Sequence, residues 1–242
     1  MSGGFFPPTR ASIVEAVRSG DAVERARALE VLLGAYWRPV YRHVRRKWGK
    51  EHEEAADLTQ DFFAELLERD LLARYDPGKA RLRTYLRVCV DGLVANAAKA
   101  AGRQKRGGGA ALLSLDFEGA RDELERAAPA REESPEREFE KEWARSVLSL
   151  GLARLDAELG GRGKGVAARL FGIYDLGTEG DPPPSYADLA RRFGVPVTDV
   201  TNGLSLARRE FRRIILGLLR EMTGSEEEYR LEARALLGIE AP

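Results

Sequence analysis

The chain has 242 residues, of which 32% are charged, and its 39 basic residues are balanced by 39 acidic ones. That length holds two small domains or one large one, with a real core in either case. The balance excludes a protein that grips nucleic acid by unaided attraction to phosphate, which needs a surplus of Lys and Arg.

From Ser12 to Arg106 the pattern is helical almost throughout. Ser19-Gly20-Asp21 signals the start of a helix that carries Leu29, Leu32, Leu33, Tyr36, Val40, Val44 and Trp48, mostly at three- or four-residue spacing. Pro39 should kink it or split it in two. The next helix, "EEAADLTQDFFAELLERD", sets Leu58, Phe62 and Leu66, with Phe63 and Leu67, on one apolar side. "YDPGK" (75–79) has turn chemistry, with Pro followed by Gly at the central positions. A third helix then brings Leu82, Tyr85, Leu86, Cys89, Leu93 and Val94 into register. Cys89 is the sole cysteine, so no disulfide can form within the chain, and it reads as a small core residue.

"RQKRGGGA" closes this block as a basic, glycine-rich joint. Residues 116–142 hold eleven acidic side chains against five basic ones, and "AAPAREESPE" has no apolar face to bury. Amphipathic patterning resumes near Phe139. "GGRGKG" and "GTEGDPPPS" read as loops, and "SEEEYRLEARALLG" as a short acidic closing helix. The expected fold is all-α, with two small helical domains joined by an acidic linker. The divisions are 1–106, a linker at 107–138, a DNA-binding unit at 139–222 and a tail at 223–242.

Within the third segment, Ser185 is a good N-cap for "YADLARRFG", and Asp188 stands where a capping box wants an acid. Gly194 supplies a sharp turn, Pro196 stops the first helix and Thr198 caps the second. Val200, Leu204, Ala207, Phe211, Ile214, Ile215 and Leu218 share one face of that second helix. The opposite arc holds Thr201, Asn202, Ser205, Arg208, Arg209, Arg212 and Arg213. This is the pattern of a helix-turn-helix reader, with polar residues toward base edges and arginines toward phosphate. An ordinary helical hairpin with a solvated arginine face has the same pattern. Gly203 and the uncharged front turn are unusual for a reader.

No enzyme constellation is present. His43 and His52 are the only histidines, "EHEEA" lacks a second histidine for zinc, and no Ser or Thr follows the lysine of "GGRGKG". No catalytic residue, cofactor or metal is expected. The opening "MSGGFFPPTR" is not a signal peptide, and no run approaches the ~18 apolar residues of a membrane span. The expected compartment is the cytoplasm, with no membrane partner.

"DLTQDFFAELLERDLLARYDPGKARLRTYLRV" followed by "RQKRGGG" resembles the promoter-melting domain of extracytoplasmic-function (ECF) RNA polymerase sigma factors. It is most similar to the group abundant in planctomycetes and related bacteria. "FPPTR", "YWRPVYRHVRRK", "LSLD", "SYADLARRFGVPVTDVTN" and "TGSEEEYRLEARALLG" resemble that group in the same order, so the likeness spans nearly the whole chain.

The resemblance implies core RNA polymerase and promoter DNA as partners, with transcription initiation as the function. It implies a polymerase-binding face at Asp57, Thr59, Gln60, Asp61 and Phe63, where carboxylates beside an exposed aromatic suit a basic helix. Melted-element contacts would come from Tyr75, Lys79, Arg81, Arg83, Thr84, Tyr85, Arg87 and Asn96, with the tyrosines stacking on bases or belonging to the core. Arg42, Arg45, Arg46, Lys47, Arg103, Lys105 and Arg106 would meet phosphate or form a solvated face. Upstream-element contacts fall to Thr198, Thr201, Asn202, Ser205, Arg208, Arg209 and Arg212. Ala56, Ala80, Leu82 and Gly203 depart from the group's usual residues. The acidic linker would thread through the polymerase. An anti-sigma protein, a Ser/Thr kinase acting at Thr59, and the C-terminal tail are the open modes of control. A stand-alone helix-turn-helix regulator and a protein-binding helical adaptor are the alternatives.

Overall fold

The computed structural model describes residues 13–18, 21–100, 115–126, 134–177 and 182–238. Among these the regular structure is helical throughout: α1 (Ile13–Arg18), α2 (Ala22–Lys47), α3 (His52–Glu68), a 3-10 turn (Leu71–Arg74), α4 (Leu82–Ala100), α5 (Phe117–Arg126), α6 (Pro135–Gly161), α7 (Gly165–Tyr174), α8 (Tyr186–Phe193), α9 (Val197–Met222) and α10 (Glu226–Leu237). The fold is all-α.

Asp21 caps α2 by accepting hydrogen bonds from the Val23 and Glu24 amides at 2.8 and 3.1 Å. The helix then runs on past Pro39 as one element, so of the kink or split expected there the split does not occur. Proline removes one backbone hydrogen bond there, but Ala35, Tyr36, Val40, Tyr41 and Val44 on both sides of it are buried in the same core. Tertiary packing of the whole stripe outweighs that local loss. In α3 Leu58, Phe62, Phe63 and Leu66 are buried, each apolar side chain contributing about 1.5–3 kcal/mol. Leu67 is not on that face and is 39% exposed.

Asp91 of α4 ties α4 to the end of α2. Its carboxylate accepts from His43 Nε2 (2.9 Å), Lys47 Nζ (2.8 Å) and Trp48 Nε1 (2.9 Å). A carboxylate only accepts, so Nε2 of His43 carries the proton, while buried Nδ1 has no hydrogen-bond partner. Burial pushes this imidazole below its ordinary range, leaving it neutral.

Residues 116–126, read from sequence as part of a flexible linker, include a packed helix. Phe117, Ala120 and Leu124 of α5 recur at helical spacing inside the acidic run, and Ala120 and Leu124 are buried. The Phe117 ring lies 5.4 Å from Trp37 and 5.5 Å from Tyr41. Arg38 of α2 donates to Glu123 at 2.7 Å. Three apolar anchors suffice because α2 supplies aromatic surface for them.

α6 begins at Pro135, ahead of the expected Phe139, because Ser134 caps it and proline suits the first helical turn. Phe139, Trp143 and Val147 line its buried face in the first half, Leu155 and Leu159 in the second. α6 packs on α2, α7 and α9, so the buried residues of the first bundle (α1–α4) and of the C-terminal helices form one continuous cluster. Gly151 permits the close α6–α9 approach: a Cβ built there would collide with the Ile215 Cδ1 atom.

Candidate nucleic-acid interface

Three surfaces carry the residues that chemistry singles out. The first is the turn into α4. The Asp76 carbonyl accepts from the Lys79 amide at 3.0 Å, with Pro77 and Gly78 between them as the turn requires. The Asp76 side chain accepts from the Gly78 amide at 3.0 Å. Tyr75 and Tyr85 face each other with ring centroids 5.5 Å apart. Tyr85 is half-buried and donates to the Leu71 carbonyl at 2.6 Å, and burial foremost pushes its hydroxyl up to about 12. Tyr75 is only 8% exposed.

α10 covers this turn. Glu228 accepts from the Tyr75 hydroxyl (3.3 Å) and from the amide of Leu82, the first residue of α4 (3.1 Å). Burial raises the Tyr75 hydroxyl well above its ordinary value, and the neighbouring Glu228 charge adds to that. Glu232, itself buried, pairs with Arg81 at 3.3 Å and with Arg83. Burial works against the Arg83 charge, yet the contacts with Glu232 outweigh it and the guanidinium sits above its ordinary value. The Arg83 guanidinium also lies 4.8 Å from the centre of the Trp143 ring.

Acids of α6 and α5 meet the other basic residues. Arg87 pairs with Glu136 at 2.7 Å and Arg46 with Glu138 at 3.4 Å. Arg42 is buried and pairs with Glu142 at 2.9 Å and Glu123 at 3.6 Å. Arg45 donates to the Lys50 carbonyl at 3.0 Å and sits 3.6 Å from Glu51. Lys79 is exposed, near Asp76, Thr84 is half-buried and Asn96 is exposed. Arg103, Lys105 and Arg106 lie outside the described residues. Among the described residues, Arg42, Arg45, Arg46, Lys47, Arg81, Arg83 and Arg87 are thus each paired with an acid. Their partners, Glu136, Glu138, Glu142, Glu228 and Glu232, are residues that sequence reasoning missed. Their only sequence signal is acid at one-turn spacing on two distant helices.

The second surface is α3. Asp57 and Asp61 are exposed and, with half-buried Glu65, form an acidic ridge at four-residue spacing. Burial, then the Asp57 and Glu65 charges, push the Asp61 carboxyl above its ordinary range. Gln60 is half-buried beside it. Phe63 does not provide the expected exposed aromatic: it is 1% exposed and stacks edge-on against Phe62 at 5.1 Å. Thr59 is likewise buried and donates to the Ala55 carbonyl at 2.7 Å. Helical register brings both onto the side that faces α2 and α4, away from solvent.

The third surface is the α8–α9 pair. Ser185 caps α8 by accepting from the Asp188 amide at 3.2 Å, as the capping-box pattern predicts, and its hydroxyl donates to the Asp188 carboxylate at 2.6 Å. Gly194 ends α8 with φ +64°, a conformation that favours glycine. α9 starts one residue before Thr198, with Pro196 in the cap position. Thr198 is therefore an exposed first-turn residue rather than the cap. Proline displaces it because its extended conformation and absent N–H suit the boundary.

Thr201, Asn202, Ser205, Arg209 and Arg212 are exposed on α9, opposite buried Val200, Leu204, Ala207 and Phe211. Arg208 is held by Asp175, with Nε–Oδ1 at 3.0 Å and Nη2–Oδ1 at 2.9 Å. Gly203 points at α7: a Cβ there would lie 3.4 Å from Leu170 Cδ1 and 3.5 Å from Ala167 Cβ. The glycine lies on the face of α9 that packs against α7, with room there for a methyl at ordinary contact.

Residues 32–104 match the family model of sigma-70 region 2. This stretch is similar to sigma-70 region 2. It takes in α2, α3 and α4, with the turn and the basic residues Arg42 to Arg103. No curated protein and no solved structure matches the chain. The domain points to a sigma factor for RNA polymerase, a class of transcription initiation factor with core polymerase and promoter DNA as partners. Among the described residues, no helix is long and apolar enough to cross a membrane.

Proposed function

We propose that the chain is an ECF-type sigma factor that docks on core RNA polymerase and directs promoter recognition and melting. The observation that supports this reading is that the stretch matching region 2 includes the turn and the start of α4, with Tyr75, Lys79, Arg81, Arg83, Tyr85 and Arg87. Aromatic faces and guanidiniums in one place suit unstacked bases and their backbone. Capture of flipped bases offsets the few kcal/mol lost at each unstacked step, so melting needs no ATP.

In this reading the acidic ridge of α3 meets a basic helix of the polymerase. The exposed front of α9, with Thr198, Thr201, Asn202 and Ser205, reads the upstream element in the major groove, and Arg209 and Arg212 meet phosphate. Asn202 suits bidentate contact with adenine. A neutral chain with two modest DNA sites gains its hold when polymerase joins both in one assembly. The place of action is the cytoplasm. Buried Thr59 makes a poor kinase target, which leaves an anti-sigma protein, the tail or a kinase acting at another residue as the modes of control.

Purified chain mixed with core polymerase should form a stable complex that initiates transcription at promoters near candidate target genes. Failure to bind core overturns the reading. Tight binding to a palindromic duplex without polymerase would instead assign a stand-alone regulator.

A further inference from the structure

We infer that α10 is a self-inhibitory clasp whose carboxylates occupy the single-strand site of the region 2 domain. The inference rests on the sigma-factor reading and assigns the tail a role within it.

Glu228 sits at the N-terminal end of α4, where unpaired amides and the helix dipole favour an anion. Its oxygens take donors from Leu82, Tyr75 and Gly224, the last at 2.9 Å. One turn later Glu232 faces the guanidiniums of Arg81 and Arg83. A helix-start amide, a tyrosine hydroxyl and two guanidiniums are the donors that a phosphodiester backbone would use. The two carboxylates stand in its place. Ser225 caps α10 by accepting from the Glu228 amide, which fixes Glu228 in the first turn.

The approach is close. A Cβ on Gly224 would lie 2.6 Å from Pro77 Cβ and 3.1 Å from Tyr75 Cε1, nearer than such atoms can pack. Glycine thus lets the tail backbone lie directly on the turn. Glu136 and Glu138 of α6 neutralise Arg87 and Arg46. In this state the donors of the site are taken, and single-stranded DNA enters only when α10 leaves. Lys79 stays exposed at the rim, where an incoming strand would first meet charge.

The test uses the full chain as wild type, as E228Q/E232Q and as G224L, with a short labelled single-stranded DNA of mixed sequence as probe. The glutamines remove the anions; the leucine wedges the tail off without changing charge. Both variants should bind the probe about 10-fold more tightly than wild type if the free site is open less than ~10% of the time. Folded variants whose affinity equals that of wild type overturn the clasp. Should a variant unfold, hydrogen exchange on wild type decides: saturating probe should speed exchange in 229–233, and unchanged exchange overturns the clasp. Core binding and transcription by wild type are measured alongside. Their success with a failed clasp test leaves the sigma reading standing, whereas loss of core binding removes that reading first.

Discussion

Arg83 of α4 and Glu232 of α10 form an ion pair with both side chains almost wholly buried, at 8% and 2% exposure. Removing one partner strands a charge in a low-dielectric site, so E232A should destabilise the chain by about 3 kcal/mol. Replacing both by apolar residues, as in R83M/E232L, should cost less than E232A alone. Urea denaturation of the two variants and wild type checks the order.

Stability should fall on mild acidification through His43. Its imidazole is packed against Phe139 of α6, bonded to Asp91, and near the Lys47 and Arg87 charges. Burial is the largest cause and, with the Lys47 and Arg87 charges, outweighs the opposing pull of Asp91, so the folded value lies below the unfolded 6.5. The unfolded chain therefore binds the proton more readily, and stability is complete above about pH 6.5 and declines below it. Burial pulls the Asp91 carboxyl upward, but bonds from Lys47, His43 and Trp48 outweigh it and hold it below its ordinary value. Its contribution is present above the unfolded value of 3.8 and is lost only at lower pH. Thermal melts of wild type and H43Q from pH 8 to 5 should show a flatter profile for the variant.

The two helix-packing glycines should respond in opposite ways. At Gly203 an added methyl finds ordinary contact with Leu170 and Ala167, so G203A should gain about 0.5–1 kcal/mol from helix propensity. At Gly151 the methyl meets Ile215, so G151A should lose about 1–3 kcal/mol. Trimming the obstacle, in G151A/I215V, should recover part of that loss.

On α9, N202A should reduce discrimination between promoter sequences by about 1–3 kcal/mol while core binding is unchanged. R208A leaves an exposed Asp175 without its partner, a change worth no more than about 1 kcal/mol in stability. Holoenzyme binding to promoter duplex across salt concentrations separates the two: Arg209 and Arg212 variants should lower the salt slope, N202A should not.

The legible part of the chain was the part written in local terms. Asp21, Ser185 and Gly194 marked helix ends because capping depends on a few adjacent residues. The apolar register of α9 foretold its buried face from Val200 to Leu218. Reading failed where tertiary packing overrode a local rule. Pro39 stayed inside α2, and Phe117, Ala120 and Leu124 drew an acidic stretch onto α2 as a helix.

Sequence alone determined an all-α chain with a segment similar to sigma-70 region 2 and a helix-turn-helix pattern, because helical periodicity, caps and turn residues act over a few positions. Tertiary structure decided which polar residues are available. It buried Thr59 and Phe63 on α3 and locked Arg208 onto Asp175. It also set Glu228 and Glu232 on the donors of the turn and α4. Ion pairing depends on proximity in space, and nothing in local periodicity records which distant carboxylate will face a given guanidinium.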